Sequence, residues 1–165
     1  MRRLTLLRHA KSSWEDPEVD DFDRPLNPRG LRNIPDMGRR LARQEDRPEV
    51  IVASPALRAL ATARGIGREI GYRDDRILQV PALYMAAPAT ILQVVQGLDD
   101  ARRHAMIVGH NPGLTDFANS LGEIRIDNMP TTSMLCVEFP QARWSQIRPE
   151  TAEFNYFDFP KKRPG

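Results

Sequence analysis

Three short apolar runs, each giving way to a polar side chain, constrain this chain more than any other feature. They are RLTLL at 3–7, EVIVAS at 49–54 and HAMIVG at 104–109. Each has the length of a buried strand, and helical spacing follows each of them. After the second run, Pro55 can open a helix that Leu57, Leu60, Ala61, Ile66 and Ile70 continue and Gly71 caps. After the third, Gly113 to Leu121 forms the next helix. After the first, a polar loop from Lys11 to about Arg29 precedes a helix near 31–44. Leu31, Ile34, Met37, Leu41 and Ala42 carry its apolar spacing, with Pro35 confined to the early turns. A weak strand at 77–79 and a helix at 88–98 extend the alternation. TSMLCVEF and RWSQIRP read as two adjacent strands near the C-terminus. Strands alternating with helices predict an α/β fold: a three-layer sandwich with a mostly parallel central sheet flanked by helices. No repeat or linker interrupts the pattern, so one domain over residues 1–165 is expected.

At 165 residues the chain can bury a core without staples. No apolar run approaches the roughly 20 residues that cross a bilayer, and the first strand begins too early for a signal peptide. Neither a membrane nor a nucleic-acid partner is expected. Arginine strongly outnumbers lysine, but the net charge is only +2. The arginines are interspersed with acids rather than gathered in a stripe. Arg39, Arg40, Arg43, Arg68 and Arg102 are read as solvated, and the short basic tail FPKKRPG as a solvated end. The lone cysteine, Cys136, can form no intrachain disulfide and suits a reducing cytoplasm, as a buried structural thiol.

In sheets of this kind ligands bind beyond the carboxyl ends of the strands. Arg8 and His9 stand there after the first run, Ser54 and Arg58 after the second, His110 and Asn111 after the third. Each alone has an ordinary reading, Arg58 as a helix-surface arginine and His110 as part of a turn. The topology brings all of them to one sheet edge. Arginine forks bind phosphate oxygens and stay charged, and two imidazoles can divide nucleophilic and proton-transfer work. Phosphate held by arginines and attacked by an imidazole nitrogen would give a covalent phosphohistidine, with neighbouring guanidinium groups disfavouring protonation of His9. Such a site requires no metal and no cofactor. His104, at the opposite end of its strand, is expected to be an ordinary surface residue.

LLRHA, ASPALRALATA and VGHNPG, in this order and spacing, resemble the three blocks of the histidine phosphatase superfamily, whose fold is phosphoglycerate-mutase-like. The short length and RHAKSSW…DFDRPLNPRG look most like its SixA-type phosphohistidine phosphatases. That resemblance implies His9 as nucleophile, with Arg8, Arg58 and His110 lining the phosphate pocket and His110 stabilising the transferred group. It implies Arg24 as a further phosphate ligand. Asn27 and Gly30 would shape the adjacent turn and Asn111 the pocket floor, both asparagines being candidate substrate contacts.

Larger members carry an acidic general acid between the second and third blocks. Here no Asp or Glu lies between Asp75 and Asp99. A nitrogen leaving group is more readily protonated than an alkoxide, so the gap favours phosphohistidine over sugar phosphates. The loop carboxylates Glu15, Asp16, Glu18, Asp20, Asp21 and Asp23 keep the alternative open. Three functions fit. One is a phosphatase acting on phosphohistidine of a protein partner, such as a phosphotransfer domain. The second is a phosphatase of small phosphorylated metabolites. The third is an idle module that binds phosphorylated partners, against which the intact His9, His110 and arginines argue.

Overall fold

The computed structural model describes residues 1–162; the last three residues of the basic tail lie outside them. Six strands form one open sheet in the order β3-β2-β4-β1-β5-β6. The strands are β1 (Arg2–Arg8), β2 (Val50–Ala53), β3 (Leu78–Gln79), β4 (His104–Gly109), β5 (Met134–Phe139) and β6 (Glu153–Asp158). The first four run parallel, and β5 and β6 add an antiparallel margin beside β1. The helices are α1 (Pro28–Ala42), α2 (Leu57–Glu69), α3 (Pro88–Gln96) and α4 (Gly113–Asn119). They make the outer layers of the expected sandwich.

Period-two alternation divides the apolar residues between two cores. Leu4 and Leu6 of β1 join Val52, Ile107, Ile91, Val95, Leu114 and Phe117 on the α3/α4 face. Leu7 joins Ile51, Met106, Val108, Ile34, Met37, Leu41, Ala63 and Ile66 on the α1/α2 face. Because both faces are covered, β1, β2 and β4 read as continuous apolar runs. Leu31 is the exception on α1 and faces solvent.

Two sequence expectations fail near the C-terminus. RWSQIRP is not a strand: Trp144–Gln146 and Pro149–Thr151 are 3₁₀ turns. Trp144 and Ile147 are buried three residues apart, which suits such turns rather than a pleat. The last strand is instead β6, an edge whose Phe154 is exposed and whose register with β5 shifts at Cys136/Val137. Arg40 is not solvated either. It pairs with Asp36 and Asp158 and donates to the carbonyls of Phe159 and Pro160, fastening the chain end to α1.

Candidate active site

β1, β2 and β4 are parallel neighbours, so their C-terminal ends emerge at one edge of the sheet. Arg8 is in register with Gly109, and the His9 N–H donates to the Gly109 carbonyl at 3.2 Å. His9 and His110 therefore leave adjacent strands side by side, their ring centroids 5.2 Å apart. Two glycines let the surrounding loops close in. A Cβ on Gly30 would collide with the Lys11 carbonyl, and one on Gly113 with that of Ala86. Both are contacts that only a hydrogen side chain permits.

A cavity of about 240 Å³ opens here, lined among others by Arg8, His9, Arg24, Arg58, His110 and Asn111. His9 and His110 are 7% and 3% exposed, and Arg58 2%. The His9 Nδ1–H donates to the Ala10 carbonyl at 2.7 Å, so the lone pair resides on Nε2. Burial, more than any neighbour, lowers the His9 pKa to about 4; the Ala10 bond opposes this, and Arg58, Arg8 and Arg24 add to it. The guanidinium repulsion expected from the sequence is thus the secondary cause.

The second histidine is held through its other ring nitrogen. Ser54 Oγ accepts from the Ala56 N–H at 3.3 Å and lies 2.7 Å from His110 Nε2. The Ser54 hydroxyl can donate to Nε2 or accept from it, according to which ring nitrogen carries the proton. That Nδ1 is buried without a partner. Burial, then proximity to His9 and Arg58, lowers the His110 pKa to about 3, so both rings are neutral. Two buried donors of the lining, Nε of Arg8 and Nε of Arg58, also lack partners, as do those of Arg3 and Arg40 away from it. Three arginines and one carboxylate around a single cavity make it a place for an anion.

The arginines are held from behind. Arg8 Nη1 donates to the Met129 carbonyl at 2.8 Å. Arg24 Nη1 donates to Ser12 Oγ at 2.5 Å, and its guanidinium lies 3.5 Å over the Trp14 ring. Arg24 Nε and Arg58 Nη2 converge on Asp21, at 3.1 and 3.0 Å from its two carboxylate oxygens. Arg58 Nη1 also donates to the Asp21 carbonyl, and the Tyr84 hydroxyl to its carboxylate, each at 2.5 Å. Tyr84 stands edge-on to His110, ring centroids 5.5 Å apart. The Tyr84 bond and the two arginines lower the Asp21 pKa to about 2.

The sequence candidates do not all meet here. Asn27 is absent from the lining; its Oδ1 accepts from the Gly30 N–H at 2.8 Å and caps α1. Asn111 lines the cavity, but its amide is bound to Asn128, Met129 and Thr115. Glu15 and Asp23 are not in the lining, whereas Asp21 is. Tyr84 and Met85 complete the surroundings without having carried any sequence signal, and Trp14 had entered only as the end of the RHAKSSW stretch. His104 is not a surface residue: it is buried, bonded to Thr5 at 2.8 Å and Asp46 at 3.0 Å. Among the described residues, no group of three or more His, Cys, Asp or Glu is placed to hold a metal ion, and no helix is long and apolar enough to cross a membrane.

Comparison with known proteins agrees with this geometry. The sequence model of the histidine phosphatase superfamily (branch 1) matches residues 4–83, which hold the first two strand ends. A curated relative, the Mycobacterium leprae protein ML1117, is 30% identical over 166 residues, covering 94% of this chain and all of its own. SixA from Agrobacterium tumefaciens superposes with a TM-score of 0.82 at 25% identity, over 96% of this chain and 98% of its own. The protein histidine phosphatase SixA complexed with tungstate gives 0.80 at 20% identity, over 96% and 97%. A mycobacterial glucosyl-3-phosphoglycerate phosphatase shares the fold at 0.70 and 16% identity, over 94% and 97%. With the matched strand ends, the shared architecture and the paired histidines together, this chain belongs to the histidine phosphatase superfamily, among its SixA-like members.

Proposed function

We propose that this protein is a phosphatase whose His9 Nε2 attacks phosphorus and carries the phosphoryl group as a covalent phosphohistidine. Its substrate, on this reading, is phosphohistidine on a protein such as a histidine-phosphotransfer domain. The observation that carries the proposal is the gathering of Arg8, Arg24, Arg58 and His110 in one cavity around the bare Nε2 of His9, with Nε of Arg8 and Arg58 free of protein partners. The fixed guanidinium N–H groups meet the charge that develops on equatorial oxygens without reorganising, and His110 joins them when its proton is on Nδ1. Arg24 supplies further positive charge from the loop. Water then attacks the phosphohistidine from the mouth and releases inorganic phosphate, with no metal ion in either step.

Two features favour a phosphoramidate substrate. The cavity lining holds no carboxylate from the 76–98 interval. The one carboxylate present, Asp21, is held ionised and cannot protonate an alkoxide. The SixA structure with tungstate comes from a protein named as a histidine phosphatase, which points to the same substrate class. A reducing, cytoplasmic setting fits the buried Cys136 thiol, whose pKa burial pushes up to about 11.

The test is a panel of phosphohistidine peptide, aryl phosphate and sugar phosphate at equal concentration, with and without a chelator. Phosphohistidine should turn over best and the chelator should change nothing. His9→Ala should lose at least about a thousandfold in rate and all acid-labile labelling, with its fold intact. Labelling of another residue in the wild type would refute the nucleophile. Preferential sugar phosphate hydrolysis would establish the metabolite reading, for which the shared fold of a glucosyl-3-phosphoglycerate phosphatase speaks.

A further inference from the structure

Asp21 is the only acidic side chain among the described residues lining the cavity. A carboxylate beside a phosphoryl dianion is unfavourable, yet three donors from three elements hold this one in place, and a fourth holds its backbone carbonyl. They come from Arg24 on its own loop, Arg58 on α2 and the hydroxyl of Tyr84 after the 3₁₀ turn Pro81–Leu83. Tyr84 in turn meets His110 edge-on. The carboxylate is therefore positioned, and it is ionised throughout the working pH range. It can accept a hydrogen bond but has no proton to give.

Depth decides what it can accept from. His9 is buried at the floor, while the Asp21 side chain is 44% exposed at the mouth. In an in-line displacement the leaving group departs opposite the nucleophile, toward that mouth. On the phosphohistidine reading, the group that passes Asp21 is an imidazole whose second nitrogen faces outward. We propose that Asp21 is the leaving-group residue of this site, accepting a hydrogen bond from the protonated outer nitrogen of a phosphoimidazole and so selecting phosphoramidates over phosphate esters.

The chemistry balances without a proton donor. The substrate enters as a phosphoimidazole protonated on its outer nitrogen. The bond from His9 Nε2 to phosphorus forms while the phosphorus–nitrogen bond of the substrate breaks, its electron pair returning to the ring. The ring leaves as neutral imidazole, keeping the proton that Asp21 held. Phosphorylated His9, protonated at Nδ1, carries the positive charge onward. Water then forms the new oxygen–phosphorus bond, the bond to Nε2 breaks, and dihydrogen phosphate departs with both protons of the water. An ester offers Asp21 no N–H and meets only its negative charge.

The proposal rests on the phosphatase reading and is tested apart from it. kcat/KM is measured for a phosphohistidine peptide and for p-nitrophenyl phosphate in the wild type, Asp21→Asn, Asp21→Ser and Asp21→Glu, from pH 5.5 to 8.5. Loss of a charge-assisted hydrogen bond should cost the two neutral variants about 10- to 100-fold on phosphohistidine. Aryl phosphate turnover should rise, because the dianion no longer meets a carboxylate. The ratio of the two kcat/KM values then falls at least about tenfold, Asp21→Glu restores most of it, and the alkaline limb on phosphohistidine moves to lower pH in the neutral variants. An equal loss on both substrates would make Asp21 a mere support for Arg58 and overturn the proposal. A selective loss on p-nitrophenyl phosphate would make it a general acid and overturn it too. A wild type inactive on both substrates and unlabelled at His9 would refute the phosphatase reading instead.

Discussion

The two ends of the central β1–β4 pair carry the same residue types in opposite states of balance. At the N-terminal end Arg3, Arg103 and His104 gather around Asp46, and Arg3 also pairs with Glu138. His104 spends both nitrogens, on Asp46 and on Thr5. At the C-terminal end Arg8, Arg24, Arg58, His9 and His110 share a single lining carboxylate. Histidine and arginine are therefore no mark of a site in this fold. The difference lies in the carboxylates. Asp46 and Glu138 pair with Arg3, Arg103 and His104 at one end, while Asp21 alone lines the cavity with three arginines at the other. A buried Nε without a hydrogen-bond partner occurs at both ends, on Arg3 as on Arg8 and Arg58.

The comparison can be broken by exchanging consequences between the ends. Of the variants that compare the two ends, Arg58→Lys should show the largest effect, since it keeps the charge and loses the fork. About 3 kcal/mol of transition-state stabilisation should disappear, roughly a hundredfold in kcat/KM. Arg39→Ala, on the exposed face of α1, is the control and should change little. Equal behaviour of the two variants would place the phosphate elsewhere. Next comes Asp46→Ala at the balanced end. It strands the buried His104 Nδ1 and should cost about 1–3 kcal/mol in urea unfolding, with kcat/KM at 25 °C within about twofold of wild type. A collapse of activity in a folded Asp46→Ala would show that the two ends communicate.

The smallest effect is a matter of pH. Folding lowers the pKa values of His9 to about 4 and of His110 to about 3 from an ordinary 6.5. Between those values the unfolded chain binds more protons than the folded one. Their contribution to stability is whole above about pH 6.5 and is lost as pH falls toward 4. Each histidine contributes at most about 1.4 kcal/mol per pH unit there. Urea midpoints at pH 6.5 and 5.5 should differ less in His110→Gln than in the wild type. An equal difference would mean that His110 does not titrate with unfolding. His104 is lowered by burial as well, with Asp46 opposing, so part of the acid sensitivity should persist in that variant.

The sequence carried the strand ends well because parallel strands buried on both faces leave uninterrupted apolar runs, and the polar residue after each run has to stand at the edge. It carried His104 badly for a related reason. The spacing placed that residue at the far end of β4, but burial there depends on Asp46 and Thr5, which come from other parts of the chain. The last strand was misplaced because Trp144 and Ile147 carry an apolar signal for a pair of tight turns, while the edge strand β6 leaves Phe154 in solvent. Asp21 was one of six loop carboxylates with nothing to separate them. Only the three-dimensional meeting with Arg24, Arg58 and Tyr84 sets it apart.

One consequence follows from where β1 lies. It is an interior strand, bonded to β4 on one side and β5 on the other, and the N–H of Thr132 reaches back to the carbonyls of Arg8 and His9. The amide of His9 should exchange with solvent only when the whole sheet opens. The segment from Lys11 to Asn27 has one isolated β-bridge, Ser12–Leu26, and otherwise only turn and side-chain bonds, and it exposes Trp14, Asp21 and Phe22. Its amides should exchange through local openings of much lower free energy. On the proposed function, the floor that would handle phosphorus and the rim that would meet the leaving group thus belong to different cooperative units. Substitutions in the rim can retune which group departs while global unfolding scarcely registers them. The ability to hold and transfer phosphorus disappears only with the sheet itself.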